Sequence, residues 1–332
     1  MTSVNVPDIL SFSRLSSAVS DIKTRAETTR TEAVTGRYED VTKATNGDVG
    51  SAHLLSKAVA DVQAYQSNLS LAANRAQRTQ TALNNLNVET NRIATDAFAS
   101  VGRNDDATLR TSASDARATI SSIFATLNTT DGGRALFGGD VTDRAPLASP
   151  EQLLADVDAI VANAMSEADI EAQLDIYFND PSGGFATSIY LGGDNDAPDI
   201  EIAPGVRIGA STRADAQPIK DLVRGLAEIA ASGLITFGSP KTFVENSASR
   251  TLTSENRLTE LRADIGVGEA RISAAQARYE AEEAVLTSLF NDKTARDPFE
   301  AASELQLLES QLEASYLMTA RLAQLSIADY LR

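Results

Sequence analysis

Residues 55–93 read LSKAVADVQAYQSNLSLAANRAQRTQTALNNLNVETNRI. Two seams run through them at heptad spacing. One is Leu55, Val62, Leu69, Ala76, Leu83 and Thr90; the other is Ala58, Tyr65, Ala72, Thr79, Leu86 and Ile93. These are a and d positions held over about five heptads, the pattern of a helix that lays a narrow apolar stripe along a partner. Proline, which breaks helix interiors, is missing from residues 8–145. The pattern predicts a helix that starts at an Asp48 N-cap, behind the Asn46-Gly47 turn signal, and ends near Gly102. Some fifty residues of helix span about 75 Å.

Shorter stripes flank it. Leu15, Ala18, Ile22 and Ala26 mark a first helix that ends at Gly36, a C′ residue. Leu109, Ala113, Ala116, Ile120, Ile123 and Leu127 mark a third helix that starts at Asn104 or Asp105. On the carboxyl side, Leu258, Leu261, Ile265, Gly268, Ile272, Ala275, Tyr279 and Leu286 form one seam of a helix over about 243–290. Gly266 and Gly268 weaken it locally, each by roughly 1 kcal/mol against Ala. Asp297-Pro298-Phe299-Glu300 then reads as a helix start, with Asp297 as cap, Pro298 at N1 and Glu300 completing a capping box. Leu305, Leu308, Leu312, Ser315, Thr319 and Leu322 form the last stripe.

Between these arms the character changes. Seven of the nine prolines and 13 of the 19 glycines lie in residues 131–240. That segment carries 18 Asp plus Glu against 6 Lys plus Arg, so −12 of the chain's net −17 sits there. Helices are expected at 150–165, 167–178 and 216–231. Short strands are expected at Phe185–Leu191, Ile200–Ala203 and Val206–Ala210. The resulting fold is mainly α: a long antiparallel helical bundle or coiled-coil rod built from both chain ends, with a small inserted α/β module. Its divisions are residues 1–47 with 292–332, 48–130 with 243–291, and the module at 131–242. An a/d stripe must find a partner. The economical pairing sets the first helix on the last and the long second helix on residues 243–290. Periodicity alone leaves open whether the terminal pair is an autonomous coiled coil or a subunit that becomes ordered on assembly.

Composition excludes much chemistry. The 332 residues contain no Cys, no Trp and one His. Disulfides, Cys-ligated zinc, iron–sulfur clusters, thiol nucleophiles and two-His motifs are therefore out. A net charge of −17 argues against nucleic acid or an anionic membrane as partner. No stretch approaches the eighteen or so apolar residues of a membrane span, and the amino end has no secretory signal pattern. His53 falls at an outward heptad position. Gly233-Leu-Ile-Thr-Phe-Gly238-Ser-Pro-Lys241-Thr242 places Ser239 and Pro240 where a phosphate loop needs its Lys, so it reads as a turn. Gly192-Gly-Asp194-Asn-Asp196 with Asp199 lacks the calcium loop's Gly and terminal Glu. Asp156 with Asp158, and Glu167, Asp169 and Glu171, read as solvated helix faces. No catalytic residue, cofactor or metal is expected.

The carboxyl end carries a resemblance. Gln311-Leu-Glu-Ala-Ser-Tyr316, Ala320-Arg-Leu-Ala-Gln-Leu-Ser326 and Asp329-Tyr-Leu331 resemble the closing segment of the bacterial flagellin family. Leu261-Arg-Ala-Asp-Ile-Gly266, Glu269-Ala-Arg-Ile272 and Asp297 with Glu300-Ala301 and Leu305 resemble its preceding stretch. Gly36-Arg37 and Ala44-Thr-Asn-Gly-Asp48 sit where the family has a loop between its first two helices. The resemblance covers about 1–130 and 243–332. Leu136-Phe137-Gly138-Gly139, Thr142 and Pro146 look like an element of the family's hook–filament junction branch. The chain departs from filament members at the first loop, where only Asp48 of an Asp-Asp pair remains. It departs again at Arg92, where Ala94, Thr95 and Asp96 replace the rest of an Arg-x-Arg-Glu-Leu segment.

The resemblance implies a structural axial subunit of the flagellum, a hook-associated adaptor that joins hook to filament. It would be exported unfolded by the flagellar type III route, without a cleaved signal peptide, to an extracellular place in the flagellum. The implied partners are further copies of the chain, hook-associated protein one, flagellin and an export chaperone. In the family, terminal helices form an inner tube, longer helices an outer shell, and a variable module lies outside. The expected assembly-interface residues are Leu15, Ile22, Leu305, Leu308, Leu312, Tyr316, Leu322, Leu325, Tyr330 and Leu331. The expected bundle seam is Leu55, Val62, Leu69, Leu83, Leu86, Leu258, Leu261, Ile265 and Ile272. The alternatives are filament flagellin itself and, from another class, a secreted binding or enzymatic module at 131–242.

Overall fold

The computed structural model describes residues 6–44, 49–103, 106–203, 205–209 and 211–330, with backbone alone for 6–12, 41, 106 and 322–330. Helices dominate. They are α1 (Val6–Thr35), α2 (Val41–Ala44), α3 (Val49–Arg103), α4 (Asp106–Leu127), α5 (Pro150–Asn163), α6 (Glu167–Asn179), α7 (Gln217–Ala231), α8 (Pro240–Thr294) and α9 (Pro298–Tyr330). Strands are few: β1 (Thr130–Asp131) pairs antiparallel with β2 (Arg134–Ala135), and β3 (Ile200–Ala203) with β4 (Val206–Ile208). The fold is mainly α, and the β part of the insert is two hairpins. The caps expected at Asp48 and at Asn104 or Asp105 lie outside the described residues.

The chain divides into two compact units, one of residues 1–63 with 280–332 and one of residues 64–279. In the larger unit the α3 seam is buried as its spacing predicts. Leu69, Ala72, Ala76, Thr79, Leu83, Leu86, Thr90 and Ile93 are all buried and Tyr65 is half-buried. Leu258, Ile265, Ile272 and Tyr279 of α8 are buried and Leu261 is half-buried. Polar side chains join the two helices. Gln80 Nε2 donates to the Arg262 carbonyl (2.7 Å), Asn91 Nδ2 donates to Glu255 Oε2 (2.8 Å), and Tyr65 stacks on Tyr279 with centroids 5.5 Å apart. The Thr hydroxyls in the seam are satisfied by carbonyls one turn back: Thr79 by Arg75 (3.0 Å) and Thr90 by Leu86 (2.6 Å).

The insert shares this core. Ile120, Ile123, Phe124 and Leu127 of α4, Leu136 and Phe137 after β2, and Leu222, Leu226 and Ile229 of α7 belong to one apolar cluster with Leu83, Leu86 and Ile93. Helix α7 is buried on every side from Leu222 to Ala231. Gly225 allows this, because a Cβ there would stand 2.1 Å from Thr251 Oγ1 of α8. Buried Arg224 and Glu228 of α7 pair with each other and reach half-buried Arg250 of α8, and exposed Asp175 and Glu171 extend the network to α6.

One expected strand is different. Phe185–Ile189 is a single π-helical turn, closed by Tyr190 N–H to the Phe185 carbonyl (2.8 Å). Phe185 and Ile189 are both buried while Thr187 between them is exposed; a strand would turn Thr187 to the same face as the two apolar residues, and the helical turn does not. Only the end of the run is extended: Ala148 N–H donates to the Ile189 carbonyl (2.9 Å) and Leu191 N–H to the Pro146 carbonyl (2.8 Å).

Candidate assembly interface

Helices α1 and α9 pack along one another within the smaller unit. The stripe on α1 is Leu15, Val19, Ile22 and Ala26, all half-buried, then buried Thr29. Val19 takes the place expected for Ala18, which is exposed. On α9 the stripe is Ala301, Leu305, Leu308, Leu312, Ser315 and Thr319, with Ala301 and Leu308 fully buried. Arg25–Glu304 and Arg30–Glu309 ion pairs, both 3.3 Å and solvent-exposed, flank it. Such pairs contribute about 0–1 kcal/mol each, so apolar packing holds the pair.

The end of α1 is joined to the start of α9. Gly36 leaves the helix with φ +67° and its N–H on the Glu32 carbonyl (2.8 Å). Arg37 and Ala295 form an isolated antiparallel bridge, through Tyr38 N–H to the Thr294 carbonyl and Arg296 N–H to the Gly36 carbonyl (both 2.9 Å). Because the end of one helix meets the start of the other and the two pack lengthwise, they run antiparallel. Arg296 lies at this corner with its side chain 6% exposed, paired to Glu32 and Glu304, its guanidinium 5.1 Å from the Tyr38 ring centroid. Asp297 caps α9 by accepting from Phe299 N–H (2.8 Å).

Helix α9 has further apolar surface that no described residue covers. Leu307, Leu317 and Met318 are 57%, 66% and 61% exposed. At 100° per residue, Leu317 lies about 140° round the helix from Leu312, and Met318 lies three turns from Leu307 on nearly the same line. Tyr316, expected at the interface, is also exposed. Leu305, Leu308 and Leu312 lie in the stripe toward α1. The backbone of α9 runs through Leu322, Leu325 and Tyr330, whose side chains lie outside the described residues, as does Leu331 altogether. In the long-helix stretch of the same unit Leu55 is half-buried and Val62 buried, while Leu54, Val285 and Leu289 are exposed. The exposed stripe of α9 was readable: Leu307-Leu308 and Tyr316-Leu317-Met318 are consecutive apolar residues, which one helix face cannot hold.

The carboxylates weighed for chemistry have structural employment. Asp158 accepts from Arg117 (2.7 Å), Asp156 from the Tyr177 hydroxyl (2.8 Å), Glu171 from Arg250 (2.8 Å) and Asp169 from Met165 N–H (3.0 Å). His53 is exposed. Arg213 donates to the Asp194 carbonyl and pairs with Asp196 (3.4 Å), and no group of three or more metal-ligating side chains occurs among the described residues. The 233–242 run spans the end of the short helix Ser232–Leu234, a connecting turn with Gly238 at φ +63°, and the start of α8. The Leu136-Phe137-Gly138-Gly139 element is a core plug with a tight exit. Both apolar side chains are buried, and a Cβ on Gly139, at φ +64°, would stand 2.3 Å from the Asn195 carbonyl oxygen.

Residues 252–331 match the family model of the bacterial flagellin C-terminal helical region. No curated protein matches the sequence. Among solved structures, the fold is similar to a protein of Vibrio parahaemolyticus described as a flagellar hook-associated protein, with TM-score 0.53, 14% identity, and 73% of this chain and 95% of that chain covered. It is also similar to FlgL of Bacillus cereus, with TM-score 0.53, 12% identity, and 72% and 99% covered. At such identities the likeness is one of fold.

Proposed function

We propose that this chain, which carries the carboxyl-terminal helical region of the flagellin family, is a hook-associated axial subunit of the bacterial flagellum that joins hook to filament. The role is structural rather than catalytic. The observation that carries the reading is α9. It lies inside the family match, spends one apolar stripe on α1, and still presents Leu307, Leu317 and Met318 to solvent. A helix apolar on more than one side is made to be enclosed, and further copies of the chain would enclose it. The likeness of fold to hook-associated proteins favours the adaptor over the filament subunit.

The functional division follows. The terminal pair, residues 1–47 with 292–332, would carry the assembly contacts. The long helices, 48–130 with 243–291, would carry contacts between neighbours, and 131–242 would be a variable module. Partners are further copies, hook-associated protein one, flagellin, and a chaperone during export. Deletion tests the reading. Cells without the chain are expected to secrete flagellin into the medium and bear hooks without filaments. Loss of a sole filament subunit would leave hooks and no secreted flagellin, and that result would reject the adaptor role.

A further inference from the structure

We propose that Arg296 is a latch that makes α1 and α9 fold and open as one cooperative element in the free subunit. The two helices lie at opposite ends of the sequence, and each is thin. Neither has strong reason to persist alone, since helices in proteins draw most of their stability from packing against a partner. Besides the apolar stripe, the corner at 36–38 and 294–297 joins them. There the Arg37–Ala295 bridge ties the two backbones together. Arg296 places one guanidinium between Glu32 of α1 and Glu304 of α9. The same guanidinium lies over Tyr38, and the other Glu32 oxygen accepts from Glu39 N–H (2.9 Å).

Burial makes this a latch rather than a surface pair. The Arg296 and Glu32 side chains are 6% and 3% exposed, whereas the Arg25 and Arg30 pairs further along stand in solvent. Glu32 and Glu304 take Arg296 Nη1 and Nη2, while its Nε is buried with no hydrogen-bond partner among the described residues, so the guanidinium has no spare acceptor if either acid leaves. Glu304 is the more open of the two acids, 37% exposed, but Arg296 itself is buried, so withdrawing either carboxylate leaves a buried guanidinium short of a partner, which is costlier than losing an exposed pair. The two openings are thereby coupled.

Hydrogen exchange of the purified full-length chain tests this. Arg296→Met is expected to raise exchange in both α1 and α9 by about tenfold or more, leaving residues 64–279 unchanged. Glu32→Gln, which keeps the side chain's shape and one acceptor, should raise both helices together by less. Arg30→Gln, which removes an exposed pair, should change neither. The proposal is overturned if Arg296→Met loosens α9 and leaves α1 protected, if it changes neither helix, or if it unfolds residues 64–279 as well. A Glu32→Gln effect confined to α1 would overturn it too.

Discussion

Tyr177 shows how one side chain in the insert sets a pH limit. Its hydroxyl donates to Asp156 Oδ2 at 2.8 Å, and its ring meets Phe178 edge to face with centroids 5.2 Å apart. Burial first, and then the Asp156 carboxylate, push the phenol pKa well above its ordinary value of 10. The folded state therefore holds the proton at pH values where the unfolded chain has released it. By linkage, the stability Tyr177 contributes is whole below pH 10 and declines as pH rises above that. The urea midpoint is expected to fall between about pH 9 and pH 11, and to fall less in Tyr177→Phe, which has no proton to lose there. Equal alkaline slopes in the two proteins would remove Tyr177 from the account.

Helix α8 tests the heptad reading at the scale of an element. Its 55 residues run unbroken through Gly266, a residue that costs a helix roughly 1 kcal/mol against Ala. A Cβ at Gly266 would meet only Gln80 Nε2, at 3.9 Å, an ordinary contact. Gly266→Ala should therefore stabilise the chain by up to about 1 kcal/mol, read as a higher urea midpoint with unchanged slope. A lower midpoint would mean that the Gln80 bond to the Arg262 carbonyl needs the space. The long helices were legible in the sequence because a/d spacing maps directly onto burial: each seam residue from Leu69 to Ile93 is buried. Three features were hidden or passed over, for different reasons. Phe185–Ile189 is too short for period to separate helix from strand, and its packing decided it. The β1–β2 hairpin has a turn signal in Asp131-Gly132-Gly133, whose glycines sit at φ +58° and +78°, but its strands of two residues carry no periodicity. The Glu32–Arg296 pair joins residues 264 positions apart, and no local pattern records such a contact.

For the whole molecule the question is which apolar surface belongs to the subunit and which to an assembly. Leu308 and Leu312 are polar-intolerant for a reason internal to the chain, since both lie in the stripe against α1. An Asp at Leu312 would damage the α1–α9 pair before any neighbour arrived. Leu317 has no such debt: at 66% exposure, it gives the lone subunit little burial to lose. The two substitutions therefore separate folding from assembly. Leu312→Asp should lower far-UV helicity and hydrogen-exchange protection of α1 and α9 in the purified subunit, and abolish filaments in cells. Leu317→Asp should leave helicity and protection at the parent level and still abolish or sharply reduce filaments, because covering a charged side chain on an apolar face carries the full desolvation cost. Normal filaments on Leu317→Asp cells would show that this side of α9 stays in water in the flagellum. The assembly surface would then have to lie elsewhere on the terminal helices.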